Sequence, residues 1–305
     1  MSYILINSDC FSWMKEQEKN SIASIVTDPP YGVKEYSDSE ILKRRKGKGG
    51  IWRLPPSFDG HVRQALPRFS VINDNSNDRA LLYNFFYNWG KLAIKILMPG
   101  GHIFIASTSL LSDIVSRAMR DAGFERRGDI IRTVSTFRGG DRPKGAESEF
   151  SAISVIPKAM WEPWGLYRKP LSEKTVAQNL KKWGTGALRR KNERAPFCDL
   201  IHSQKTPKLE RQIAPHPSIK PQEFLRQLVH ASLPLGKGVI LDPFAGSGST
   251  LAAAEYFCFP SIGIEKDRHF YELGLDAIPQ LAKLYLKPVS FFDLQKEKNE
   301  ELEEY

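Results

Sequence analysis

The residues Val239-Ile240-Leu241-Asp242-Pro243-Phe244-Ala245-Gly246-Ser247-Gly248-Ser249-Thr250 constrain this chain more than any others. An apolar run meets a tight glycine turn and continues into a helix former, which reads as strand, turn, helix. Glycine lets the backbone turn sharply and approach a ligand closely. Ser249 and Thr250 can cap the helix and leave its first N–H groups facing a ligand. Taken alone, such a turn also describes an ordinary βα loop. The next segment sharpens it. Ile262-Gly263-Ile264-Glu265 is a second strand ending in an acid, at close to the roughly 20-residue spacing of nucleotide-binding folds. A carboxylate there can accept from both ribose hydroxyls, although a surface acid ending a strand has the same pattern. Together the two segments point to a nucleotide-type cofactor, with NAD and S-adenosylmethionine both open at this stage.

The rest of the chain alternates in the same way. Strands are expected at Tyr3–Asn7, Ile22–Thr27, His102–Ser107, Asp129–Phe137, Phe150–Ile156, Gly238–Leu241 and Ser261–Glu265. Helices are expected at Ala80–Leu97, Ser109–Ala122, Gln222–Ser232, Thr250–Phe257 and Arg268–Leu286. Pro99-Gly100-Gly101 stops the first helix and Gly123 the second, because proline cannot extend a helix and glycine tolerates positive φ. This order predicts an α/β fold, a largely parallel sheet with helices on both faces. Residues 158–214 break the alternation and read as an inserted region. The main domain is then 1–157 and 215–292, with a basic loop at 34–70, and 293–305 is an acidic tail.

Charge separates these regions. The chain has 305 residues and a formal net charge of +9. Residues 34–68 carry net +5 and residues 158–220 net +9, while 293–305 carry net −4. Two basic, aromatic-bearing stretches favour a polyanionic partner over a merely solvated face. Arg189, Arg190, Lys191 and Arg194 are the first candidates for such contact, and Arg44 and Arg45 the second. Trp161, Trp164 and Trp183 are expected in the core. No apolar run reaches the roughly 18 residues of a membrane span. Cys10, Cys198 and Cys258 are too few and too scattered for a disulfide framework, and no metal-ligand spacing is present. These features suit a cytoplasmic protein.

A second turn carries chemistry. Ile25-Val26-Thr27-Asp28-Pro29-Pro30-Tyr31-Gly32 follows a clean apolar strand. Its two prolines fix φ and remove two backbone donors. What remains is a rigid corner rich in acceptors, suited to a planar amino group that donates two hydrogen bonds. A simple strand-ending turn would look similar.

Asp28-Pro29-Pro30-Tyr31 together with Asp242-Pro243-Phe244-Ala245-Gly246-Ser247-Gly248 resembles the amino-methyltransferases of DNA. The catalytic turn precedes the cofactor turn, as in their circularly permuted β class. His216-Pro217-Ser218-Ile219-Lys220-Pro221 resembles the element completing the cofactor pocket in that class. Asn7-Ser8-Asp9-Cys10 is similar to its strand-ending acid near the cofactor adenine. The resemblance covers about two thirds of the chain and implies a Rossmann-like sheet with a terminal antiparallel hairpin, here Asp129–Ile156. It implies S-adenosylmethionine as cofactor, held by Asp9, Lys220, Phe244, Gly246, Gly248, Ser249, Thr250 and Glu265. Lys220 is expected at the cofactor carboxylate, and His216 is expected to be structural. The insertion would be the target-recognition region.

The implied activity is sequence-specific methylation of double-stranded DNA at adenine N6, with cytosine N4 as the alternative. Asp28 and the Pro29 carbonyl would accept the amine hydrogens, Tyr31 would stack on the base, and Pro30 would stiffen the corner. The base would flip out of the duplex. A separate restriction endonuclease chain and a monomeric or homodimeric state in a bacterial, archaeal or phage setting complete this expectation. A dinucleotide oxidoreductase leaves the Asp28 corner idle. An idle DNA-binding regulator does not need Asp28, Pro30 and Gly246 intact. An RNA or protein amino-methyltransferase is a third alternative, and the protein-glutamine type resembles Asn-Pro-Pro-Tyr rather than the Asp28 sequence.

Overall fold

The computed structural model describes residues 2–30, 76–109, 111–136, 159–216 and 218–285, with parts of 143–157. Tyr31, the basic stretch with Arg44 and Arg45, and the acidic tail lie outside the described residues. In chain order the elements are β1 (Tyr3–Asn7), α1 (Cys10–Glu16), β2 (Ile22–Thr27), α2 (Ser76–Ile96), β3 (Leu97–Ala106), α3 (Ser112–Asp121), β4 (Glu125–Thr136) and β5 (Ala159–Arg168). They continue with α4 (Val176–Trp183), β6 (Leu200–His202), α5 (Lys208–Ile213), α6 (Gln222–Ser232), β7 (Ile240–Asp242), α7 (Ser249–Tyr256), β8 (Ser261–Glu265) and α8 (Arg268–Ala282).

The strands form one sheet in the order β1-β8-β7-β2-β3-β5-β4-β6. Pairing is parallel from β1 through β3. Strand β5 runs antiparallel between β3 and β4, and β6 pairs parallel with β4. All six residues of β2 are buried, as expected of a strand covered on both faces. Strand β3 shows how the faces divide. Ile103 and Ile105 join Phe86 and Trp89 of α2, while Phe104 and Ala106 join Phe224 and Leu228 of α6. Each large apolar side chain fully buried in this way contributes about 1.5–3 kcal/mol.

The expected hairpin differs in its second strand. The described part of Phe150–Ile156 is turn and irregular chain, and β4 pairs instead with Ala159–Arg168. The sheet therefore takes in β5 and β6, both inside the segment 158–214 that the sequence set apart. Strand β5 contains Pro163, although proline cannot donate to a ladder. In the fold its carbonyl accepts from Ser107 N at 3.0 Å, just past the end of β3. Its missing donor therefore falls where that ladder has stopped. Of the three tryptophans expected in the core, Trp164 is buried, Trp183 is half-buried and Trp161 is 43% exposed.

Candidate active site

The chain leaves two neighbouring parallel strands for opposite edges of the sheet. It passes from β2 through α2 to β3, and from β7 through α7 to β8. Such a switch point opens a crevice beyond the carboxyl ends of the strands. Asp28 follows β2 directly and Asp242 ends β7, so the two sequence motifs meet at this crevice. Thr27 Oγ1 donates to Asp242 Oδ1 at 2.7 Å, and Phe244 N donates to the same oxygen at 3.1 Å. Asp242 is fully buried, and that burial pushes its carboxyl up to about 6 against the lowering effect of these bonds and of Thr250. It was absent from the sequence-derived site set, although an acid ending a strand beside a glycine turn was a signal available for it.

The glycine turn has the geometry its sequence demands. Gly248 caps α7 at φ 82°, and the Ile278 side chain fills the space a Cβ would need. Gly246, at φ 52°, faces the His216 ring, whose Nε2 would lie 3.1 Å from an added Cβ. Gly246 N donates to Glu265 Oε2 at 2.8 Å, and Asp267 N donates to Glu265 Oε1 at 2.7 Å. Glu265 thus braces the turn from the end of β8, and burial raises its pKa. His216 accepts from Ser218 N through Nδ1 at 3.1 Å and packs edge-on to Phe270. Burial first, and Lys220 second, hold its imidazole down at about 4, so the ring is neutral near pH 7.

A cleft lies between the two motifs. Asp28, Lys220, Phe244, Gly246, Ser249 and Thr250 all line it, joined by His216, Ile219, Leu225 and Asp242. Asp9, Gly248 and Glu265 are not on this wall. Asp9 instead caps α1, its Oδ1 accepting from Ser12 N at 3.0 Å. Pro29 is buried and Pro30 exposed.

Lys220 takes an unexpected partner. Its Nζ lies 2.8 Å from Asp28 Oδ2 and 3.4 Å from Glu162 Oε1. Burial opposes its charge, but Asp28 and Glu162 together raise its pKa. Glu162 comes from β5, inside a Trp- and Pro-rich stretch that carried no sequence signal for it.

The basic candidates are not gathered at the cleft. Arg190, Lys191 and Arg194 are exposed. Arg189 N donates to Ala231 O at 2.9 Å, and its guanidinium packs over Gly236 in the turn after α6. Helix α6 starts beside Lys220 and spans 11 residues, about 16 Å. Arg189 therefore sits at the end of α6 away from Asp28. Among the described residues no helix is long and apolar enough to cross a membrane.

Comparison with known proteins agrees with this layout. Type II methyltransferase M.HindIII of Haemophilus influenzae is 23% identical over 295 residues, covering 90% of this chain and 94% of its own. The structure of TTHA0409 from Thermus thermophilus complexed with S-adenosyl-L-methionine superposes with a TM-score of 0.56 at 18% identity, covering 94% of this chain and 99% of its own. The cytosine-N4-specific PvuII DNA methyltransferase superposes with a TM-score of 0.58 at 13% identity, covering 98% and 92%. These two structures share the fold. The N6_N4_Mtase family, described as DNA methylase, matches residues 22–276. The chain therefore belongs to the N6_N4 family of DNA methylases, whose methyl donor is S-adenosylmethionine.

Proposed function

We propose that this DNA methyltransferase acts on adenine N6 within a specific sequence, on a base flipped out of double-stranded DNA, and that it has the permuted motif order of the β class. The observation carrying the reading is that the Asp28 corner and the glycine turn line one cleft at the switch point of the sheet. The cleft suits S-adenosylmethionine. The N-terminus of α7 opens into it at Ser249 and Thr250, Phe244, Ile219 and Leu225 offer apolar contact, and Asp28 and Lys220 supply charge. Bound there, the cofactor supplies an electrophilic methyl group.

The chain's own residues position the nucleophile. An exocyclic aromatic amine is a poor nucleophile because its lone pair is delocalised into the ring. Asp28 and the Pro29 carbonyl each accept one N–H and draw the nitrogen toward tetrahedral geometry. That stabilisation grows as positive charge develops, which is where preorganised acceptors act most strongly. The buried Pro29 and its proline neighbour keep the corner rigid. In this reading Tyr31 stacks on the base, Asp9 and Glu265 serve the cofactor's nucleoside end, and the segment 158–214 carries target recognition. A cytoplasmic setting with a separate restriction endonuclease chain follows from the same reading.

Cytosine N4 is the second reading, supported by the likeness to the PvuII enzyme. Asp28 supports adenine, since a carboxylate in this corner is the usual adenine pattern. Digesting methylated DNA to nucleosides and separating them by mass spectrometry tests both readings. N6-methyladenine is expected, and Asp28→Ala is expected to lower turnover by roughly 10²–10³. N4-methylcytosine without N6-methyladenine overturns the choice of base. Methylation by the Asp28 variant at the parental rate overturns the catalytic assignment.

A further inference from the structure

We propose that Glu162, on β5, is a positioning residue for Asp28, holding the Lys220 ammonium between the two carboxylates. The inference rests on the methyltransferase reading above. Lys220 Nζ is 2.8 Å from Asp28 Oδ2 and 3.4 Å from Glu162 Oε1. Glu162 is itself fixed. Trp164 Nε1 donates to its Oε1 at 2.8 Å, and Arg132 Nη1 donates to its Oε2 at 3.3 Å. Arg132 is anchored by Ser203 Oγ at 3.1 Å and by the Gln204 carbonyl at 2.8 Å.

The result is a row of alternating charge: carboxylate, ammonium, carboxylate, guanidinium. None of these four side chains is more than 16% exposed. They come from four separate places: the end of β2, the approach to α6, β5 and β4. Buried charges are tolerated when they are paired and hydrogen-bonded. Without Glu162, Lys220 and Arg132 would lose the carboxylate that stands between them. Lys220 would then be drawn toward losing its proton or leaving its place. With Glu162 present the row sums to zero, Lys220 stays charged, and Asp28 Oδ2 is held in one orientation. This matters for amine methylation, because positive charge grows on the nitrogen beside Asp28 and a surplus cation there would oppose it.

Among the described residues, the other charged groups around Lys220 do not replace Glu162. Asp242 faces Asp28 from β7, and His216, on Lys220's own loop, is held neutral by burial. Arg132 opposes the Lys220 charge.

The test is E162Q in the full-length chain, with kcat measured on DNA across pH. The expected kcat is about tenfold lower, with the S-adenosylmethionine Kd within about twofold of the parent. The basic limb of the kcat profile moves to lower pH, because Lys220 has lost the Glu162 carboxylate. In a K220M background E162Q has little further effect, whereas unrelated structural losses would add. E162D, which draws the charge back by one methylene, moves the limb in the same direction by less. It decides the question if a thermal melt shows E162Q to be unfolded. A profile superimposable on the parent's, or additive losses in the double variant, overturns the proposal. Parental turnover and cofactor affinity test the underlying reading separately, since neither measurement alters Glu162.

Discussion

Asp28 and His216 both line one cleft, and burial sets the charge state of His216. Asp28 Oδ2 lies 2.8 Å from the Lys220 ammonium. An imidazole pressed against Gly246 and Phe270 loses its charge, and burial with Lys220 nearby sets its pKa near 4. That effect has a measurable sign. His216 is neutral in the fold, while in the unfolded chain it takes up a proton near pH 6.5. The stability it allows is therefore complete above about pH 6.5 and lost as pH falls toward 4, at about 1.4 kcal/mol per pH unit. In His216→Asn, the amide oxygen can still accept from Ser218 N. Urea melts between pH 7 and 4 should show a shallower acid loss in this variant than in the parent. Parallel curves would mean that His216 does not titrate in this range.

At the scale of elements, the glycine turn between β7 and α7 shows why a loop can be more demanding than a helix. Gly246 has φ 52°, where side chains are strained. The His216 ring stands 3.1 Å from where its Cβ would be. Gly246→Val places a β-branched side chain there, against both the backbone and the ring. Cofactor binding measured by calorimetry should disappear while the far-UV spectrum stays that of an α/β protein. Unchanged affinity in the folded variant would show that the backbone approach at this turn does not hold the cofactor. The hairpin of β4 and β5 works differently. Its strands carry Arg132 and Glu162 on the face turned toward Lys220, which in turn pairs with Asp28.

Across the whole molecule, the basic run at 189–194 does not line the cleft. Arg190, Lys191 and Arg194 are exposed, whereas Arg189 is tied down over Gly236. Phosphate contacts release counterions, and each lowers the slope of log K against log salt by about 0.9. Replacing Arg190, Lys191 and Arg194 by Ala together should flatten that slope, by up to about 2.7 if all three meet phosphate. Arg189→Ala should leave the slope alone and lower the melting temperature. A triple variant with the parental slope would make that run a solvated surface only. An altered slope in Arg189→Ala would show that it reaches the nucleic acid.

The sequence by itself determined those features whose causes are local. β1, β2, β8 and α6 occupy the residues their apolar patterns predicted, because periodicity and turn chemistry act within a few positions of each other. The glycine turn was legible for the same reason: only glycine meets positive φ at no steric cost. The tertiary structure alone decided which distant segments pair. The partner of β4 is Ala159–Arg168 rather than Phe150–Ile156, because a strand containing Pro163 becomes acceptable once its missing donor falls beyond the end of β3. Asp9 became a helix cap because Ser12 supplies donors three residues away. The pairing of Lys220 with Asp28 and Glu162 became visible only when four elements converged. Those contacts depend on burial and on charge brought together from remote positions, and no local pattern encodes either.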